Sequence, residues 1–355
     1  MQEIYKKLRE KLDKFPIGLP ESEEAYEILE ALFSPQEAEL ALELPMQNKS
    51  LDELAAELDE DPDTLQAKLD DMVDKGTLYR VKHGDTLFYR ILPSVEGFAE
   101  TPFWSGRPDE KTRKLAPLWG KYFEKAFAYE LGDRKQSVMR VIPLDTTISN
   151  VSEITPYEDL VELLGQNTYF AVAHCPCRQF ARATGEGCNH SLEVCFHFDS
   201  MGRYMVENGM GRELTREETL DILKKCNEEG LVHFTYNHQG KVNTICNCCG
   251  CCCVFFRALK EFDQERALAR SNYVSTVDSE LCSACETCAE RCPVDAIEVD
   301  DVAVVDADMC VGCGVCVPTC PAEAIILVRR PAGEIVEIVD SRTYLINALE
   351  EKGVI

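Results

Sequence analysis

The sequence predicts a multidomain α+β protein, and three observations predict it. Residues 22–95 read as three helices followed by a β-hairpin; residues 96–271 mix helical and strand patterns as an α/β segment with eleven cysteines; residues 272–330 carry one cysteine pattern twice. A tail, 331–355, completes four segments: 1–95, 96–271, 272–330 and 331–355. At 355 residues the chain can build more than one buried core.

Charge and composition exclude several function classes. With 37 basic against 63 acidic residues the net charge is −26. That opposes nucleic-acid binding, which depends on neutralising phosphates with Lys and Arg, and opposes adhesion to anionic membranes. The longest apolar run, AIILV at 324–328, falls far short of the roughly 20 residues that span a bilayer, so no membrane insertion is expected. The N-terminal MQEIYKKLREKLDKF is charged and amphipathic and lacks the apolar centre of a signal peptide. The expected location is the cytoplasm, where 19 cysteines are read as metal or iron–sulfur ligands rather than disulfides.

In the first segment SEEAYEILEALF, SLDELAAELD and DPDTLQAKLDDMVDKG have helical periodicity, and TLYRVKHGDTLFYRIL reads as a hairpin turning at His-Gly-Asp. Pro62 stands at a helix start, where its missing N–H costs nothing. This order resembles a winged-helix domain over about 70 residues, a fold that often binds DNA. The charge opposes that use: residues 1–95 hold 11 Lys/Arg and 22 Asp/Glu, and the helix from Asp61 to Lys75 has five acids against Lys68 and Lys75. A recognition helix needs basic or amide side chains towards phosphates and bases. Protein docking is the expected role.

Residues 96–167 contain a helical stretch (EKTRKLAPLWGKYFEKAFAYELG), a short strand (SVMRVIPL) and a helix (YEDLVELLG), with Trp104 and Trp119 read as core. Two thiol groups follow. Cys175, Cys177, Cys188 and Cys195 are spaced C-x-C-x10-C-x6-C; Cys246, Cys248, Cys249, Cys251, Cys252 and Cys253 fill six of eight positions. Neither spacing is that of a common zinc finger or redox dithiol. Neighbouring side chains in an extended run point to opposite sides, so the six cannot all face one small centre without sharp turns, and Gly250 is the residue that makes turning easy. One or two further iron–sulfur centres, built jointly by both groups, are expected, with a larger non-cubane cluster or a structural zinc site as alternatives. Cys226, on a helix capped by Thr215 with Glu218 three residues on, is read as core. His174, His190, His197, His233 and His238 lie near these cysteines; His197 and His174 are the candidates for ligation or proton transfer. Arg178 is a candidate hydrogen-bond donor to sulfide, weighed against a surface role.

LCSACETCAERCPVDAI and MCVGCGVCVPTCPAEAI repeat C-x2-C-x2-C-x3-C-P at an offset of 28, including Ala296/Ala324 and Ile297/Ile325. The repeat resembles the bacterial two-cluster ferredoxin over about 60 residues. The resemblance implies two [4Fe–4S] clusters, one on Cys282, Cys285, Cys288 and Cys320, the other on Cys310, Cys313, Cys316 and Cys292. Gly312 and Gly314 let the second copy turn tightly where the first has Ser283 and Glu286 nearby. HCPCR at 174–178, GLVHFTYN at 230–237 and ICNCCGCCC at 245–253 are similar to a loosely defined group of 4Fe–4S binding proteins of anaerobes, which implies cluster binding without naming a substrate. There is no G-x-G-x-x-G after a strand, no P-loop and no nucleophile elbow. The expected function is electron transfer by several iron–sulfur clusters between redox proteins, the partner having a basic docking surface, as a carrier or as a subunit of an oxidoreductase. The alternatives are reduction of a small substrate at an open iron in the middle segment, and a redox-sensing regulator.

Overall fold

The computed structural model of the chain describes residues 3–107, 109–144, 147–148 and 158–355. It opens with α1 (Glu3–Leu12), α2 (Glu23–Leu32) and α3 (Pro35–Glu43), then β1 (Lys49–Ser50), α4 (Leu51–Leu58), α5 (Pro62–Asp74), β2 (Leu78–His83) and β3 (Thr86–Ile91). Helix α3 escaped the sequence reading, although its start carries a full signal: Ser34 accepts from the Glu37 N–H, Glu37 returns to the Ser34 N–H, and Pro35 occupies the first turn. The three strands pair antiparallel in the order β1-β3-β2, with the β2–β3 turn at Gly84–Asp85. Lys68 and Lys75, the two basic residues of the acidic helix and its cap, pair with Glu60 and Glu37.

Helices α6 (Thr101–Trp104), α7 (Glu110–Tyr122) and α8 (Ala128–Gly132) follow, α7 and α8 joined through a π-helical turn at Phe123–Phe127. The next elements are β4 (Met139–Val141), α9 (Leu160–Gly165), β5 (Phe170–His174), α10 (Pro176–Thr184), β6 (Glu193–Phe198), α11 (Asp199–Glu207), β7 (Arg212–Leu214), α12 (Arg216–Glu228), β8 (Val232–Tyr236), β9 (Thr244–Cys248), α13 (Val254–Glu261) and β10 (Leu268–Ala269). Tyr157, in the helix expected over 157–165, lies outside the described residues. The strands form one seven-stranded sheet in the order β10-β4-β8-β9-β6-β5-β7. Every pairing is antiparallel except β10–β4. The expectation of an α/β middle segment is thereby corrected to α+β. The links decide it: β8 and β9 are joined by residues 237–243, too short for the crossover of a dozen or more residues that parallel neighbours need.

The sheet has two different faces. Ala171, Ala173, Cys195, Val232, Phe234 and Cys248 join a core that runs from Tyr5 in α1 to Val315. On the other side Phe170, Val172, Phe196, Phe198 and Ile245 pack with Leu160, Leu163 and Leu164 of α9. The register places Ala173 opposite Cys195, and Phe234 opposite Cys246, so the period of two puts these residues on the same face.

The chain ends with β11 (Tyr273–Val277), α14 (Thr287–Arg291), β12 (Ile297–Val299), β13 (Ala303–Val305), β14 (Ile325–Arg329) and α15 (Ser341–Glu351). β11 pairs with β14, and β12 with β13. Helix α15 packs on its own chain: Lys352 pairs with Glu130 at 2.7 Å, and Glu351 accepts from the Lys135 N–H at 2.7 Å. Among the described residues no helix is long and apolar enough to cross a membrane.

At the head of α11 the Asp199 carboxylate accepts from the Thr168 N–H and hydroxyl and from Asn167 Nδ2, and pairs with Lys241 at 2.7 Å. Burial pushes its pKa up, but Lys241 and these donors outweigh burial and hold it at about 2. The folded value lies below the ordinary value of about 3.9. Its contribution to stability is therefore complete above about pH 5 and is lost as pH falls towards 2. Asp199→Asn is expected to lower the melting midpoint at pH 7 by a few degrees. The gap from the parent should narrow between pH 5 and pH 3, followed by circular dichroism.

Candidate metal centres

In the C-terminal repeat, Cys282, Cys285 and Cys288 line one small cavity together with Cys320 from the second copy. Cys313 is pushed well above its ordinary thiol range, first by burial and then by the charges of Cys316, Cys310 and Cys292. Cys316, Cys310 and Cys292 are thus the thiols whose charges act on Cys313. Backbone N–H groups point at the sulfurs: Ala296 to Cys292 and Ala324 to Cys320, both at 3.2 Å, and Ala303 to Cys282 at 3.4 Å. The paired alanines of the repeat thus hold equivalent places, and such donors stabilise an anionic thiolate or cluster. The residues present fit the [4Fe–4S] groups that the spacing implies.

The two copies differ in burial. Cys285 is exposed, whereas Cys310 and Cys316 are buried. Gly312 and Gly314 have φ of +70° and +71°, and their counterparts Ala284 and Glu286 share that left-handed conformation. Glycine is required in the second copy by contact: a Cβ on Gly312 would lie 2.2 Å from Ser271 Oγ and from the Tyr273 carbonyl oxygen.

The middle cysteines divide between two sites, each drawing on both thiol groups. Cys175, Cys177, Cys195, Cys246, Cys248 and Cys253 line a cavity of about 450 Å³, whose wall Cys251 and Cys252 also reach. Cys195 on β6 and Cys246 and Cys248 on β9 stand on neighbouring strands of one face. Cys175 and Cys253 are the N-cap residues of α10 and α13, where unpaired N–H groups and the helix dipole favour a thiolate. The thiols act on one another in a chain: Cys195 and Cys248 draw Cys246 well below its ordinary range, while Cys195 is raised in turn. Elsewhere Cys188, Cys249, Cys251 and Cys252 bring four sulfurs within 4.8 Å of one another. Cys226 is buried core, its pKa raised by burial to about 12.

Of the histidines, His197 lines the thiol cavity. Its Nε2 lies 3.4 Å from Cys195 Sγ, its Nδ1 pairs with Glu96, and its ring lies tilted against Trp104 with the centroids 4.5 Å apart. Glu96 also accepts from the Tyr236 hydroxyl at 2.9 Å. His174 instead has its Nδ1 3.2 Å from the Trp104 carbonyl, His233 is tied to Asn247 at 2.6 Å, and His190 sits 3.7 Å from Glu229. Arg178 has no surface role, being 0% exposed. Its Nη atoms donate to the carbonyls of Ser191 and Asn247. Its charge helps the Cys252 thiol bring Cys249 down to about 3, against burial. Sequence reasoning missed Glu96, Glu100, Lys121 and Tyr236, which line the cavity. Glu96, Glu100 and Lys121 carry no motif and reach it only through the packing of residues 94–127 on the sheet, whereas Tyr236 stands at the end of β8 within GLVHFTYN, where its place beside the thiols depends on the sheet order.

The 4Fe-4S binding domain family model matches residues 275–298 and 303–326. No curated protein and no solved structure matches the chain. The C-terminal segment is a ferredoxin-like iron–sulfur module, a class whose chemistry is electron transfer.

Replacing Arg178 with Met takes this donor from the buried Asn247 carbonyl and from the Ser191 carbonyl, and removes the cation beside Cys249. A loss of about 3–5 kcal/mol is expected, the cost of breaking a buried charge pair from one side. Anaerobic denaturant unfolding checks it, and Arg178→Lys should recover part of the loss.

Proposed function

We propose that the chain is a multi-cluster iron–sulfur electron-transfer protein. In this reading Cys282, Cys285, Cys288 and Cys320 hold one [4Fe–4S] cluster, Cys292, Cys310, Cys313 and Cys316 a second, and the six-thiol cavity a further iron–sulfur centre. The clusters supply single-electron exchange at potentials set by burial, hydrogen bonds to sulfur and charge. The observation that carries the reading is a backbone contact. A Cβ on Gly250 would lie 2.6 Å from the Pro293 carbonyl oxygen, so the residue after Cys249 touches the residue after Cys292. Arg291 locks the same junction, donating to the carbonyls of Val315, Glu228 and Asn227. One buried cluster joins Cys248 and Cys253 of the cavity to Val294, Ala296 and Cys310 of the C-terminal module, the side by which electrons entering near the exposed Cys285 would reach the cavity.

The entry face fits a basic redox partner. Asp278, Glu280, Glu286 and Glu290 are exposed around Cys285, with Leu281 55% exposed among them. Complementary charge chiefly raises the association rate. The winged-helix-like N-terminal segment serves in this reading as a protein-docking unit, since both lysines near its acidic helix are already paired. We place the protein in the cytoplasm, without nucleic-acid partners.

Anaerobically purified protein is expected to contain at least twelve iron atoms per chain, roughly eight of them in the ferredoxin module if each cube holds four. About eight would remove the six-thiol centre. With cytochrome c as a basic electron acceptor, Glu286→Lys combined with Glu290→Lys should slow electron transfer several-fold at low ionic strength. The difference should fade at high salt.

A second reading, reduction of a small substrate in the cavity, is favoured by the Glu96–His197–Cys195 contact. It offers a proton route to the thiols. If protons accompany electrons there, the potential of that centre should fall by about 59 mV per pH unit, the value for one electron. Glu96→Gln should flatten the slope in redox titrations; a pH-independent potential in the parent would leave simple electron transfer.

A further inference from the structure

The four thiols outside that chain of contacts differ in geometry from all the others. Sulfur separations are 3.8 Å for Cys188–Cys249, 3.7 Å for Cys188–Cys252 and 3.6 Å for Cys251–Cys252. All four sulfurs lie within 4.8 Å of one another, and among the described residues this is the group that converges so closely. Four thiolates around one zinc ion at about 2.3 Å form a tetrahedron with edges of about 3.8 Å. On a cube each thiolate binds a different iron and points away from its own corner, so the sulfurs stand well beyond contact. The separations are also far too long for disulfide bonds.

We propose that Cys188, Cys249, Cys251 and Cys252 hold a single tetrahedral zinc ion. The ion fixes the reversal after β9, so that Cys246 and Cys248 before it and Cys253 after it face the cavity. The surroundings suit a closed structural site. Four thiolates on a divalent ion leave two negative charges, and the fully buried Arg178 lies beside Cys249. Arg182 of α10 donates to the carbonyls of Cys188 and His190 at 3.0 and 2.9 Å, which holds the loop that brings Cys188 across. The spacing is no zinc-finger pattern because 60 residues separate Cys188 from Cys249; the fold, not the local sequence, closes the site. Four reduced thiols in contact and without a metal would be open to oxidation, since Cys251 is exposed.

The test is zinc and iron analysis of the full-length protein, purified anaerobically and washed with a mild chelator, with X-ray absorption at the zinc edge. One zinc per chain with four sulfurs at about 2.3 Å is expected. Cys251→Ser, at the exposed ligand, should weaken zinc retention against a strong chelator at least tenfold and leave iron per chain unchanged. Cys285→Ser should lower iron and leave zinc in place. The assignment is overturned if the parent holds no zinc, if its zinc has fewer than four sulfur neighbours, or if Cys251→Ser removes iron instead. Should Cys251→Ser fail to fold, the zinc-edge spectrum of the parent decides alone. The two readings fail separately: an iron count of about eight removes the six-thiol cluster, whereas absence of zinc removes only this site.

Discussion

The pleat of β9 is the constraint on which the thiol chemistry depends. Adjacent side chains of a strand leave on opposite faces, so a dense run of cysteines cannot converge on one point. Cys246 and Cys248 go to the cavity face. Asn247 goes to the other, where its side chain binds His233 and the Val194 carbonyl and its own carbonyl takes Arg178. Where the strand ends, Gly250 turns against Pro293 with no room for a side chain. Cys249, Cys251 and Cys252 gather with Cys188, and Cys253 caps α13 on the cavity side. One short stretch thus feeds two sites because the backbone leaves no alternative.

Burying so many ionisable thiols in a chain of net charge −26 needs local positive potential, and it comes chiefly from the backbone. The N-termini of α10 and α13 meet the cavity at Cys175 and Cys253, and amides of Ala296, Ala303 and Ala324 meet sulfurs of the C-terminal module. These dipoles are fixed by the fold and need no solvent reorganisation when charge changes, which suits one-electron chemistry. The guanidinium of Arg178 adds a full charge beside Cys249. An Arg keeps its proton in such a site, whereas a lysine there would shed one readily.

Local chemistry was legible in the sequence and long-range closure was not. The Thr215–Glu218 capping box and the hairpin around Gly84 formed where composition placed them, because each depends on a few adjacent residues. The double C-x2-C-x2-C-x3-C-P was legible for the same reason. Helix α3 was missed although Ser34, Pro35 and Glu37 announced it. The partition of the middle cysteines depends on β6 pairing with β9, a contact between residues some fifty positions apart that no local pattern encodes. Arg178 looked equally suited to surface or core until that pairing buried it. Glu96 reached His197 only because the segment after β3 folds over the sheet.

Burial also decides where a redox partner can reach the proposed clusters. An exposed site exchanges electrons with whatever can dock, while a buried one exchanges only with neighbours the fold provides. Cys285 is exposed among acids, and Cys310 and Cys316 are enclosed by β11, β14 and the 271–273 segment. Arg291, next to Cys292, donates to the Val315 carbonyl of the enclosed copy and to two carbonyls at the end of α12. A loose junction would make the separation of the centres fluctuate, whereas three charge-assisted hydrogen bonds hold it. If electrons entered at the buried copy, the partner would have to displace the Gly250–Pro293 contact and leave the Arg291 donors unpaired. Docking at Cys285 disturbs neither, so in the proposed reading the partner meets the acidic surface and the buried copy lies between it and the thiols of the cavity.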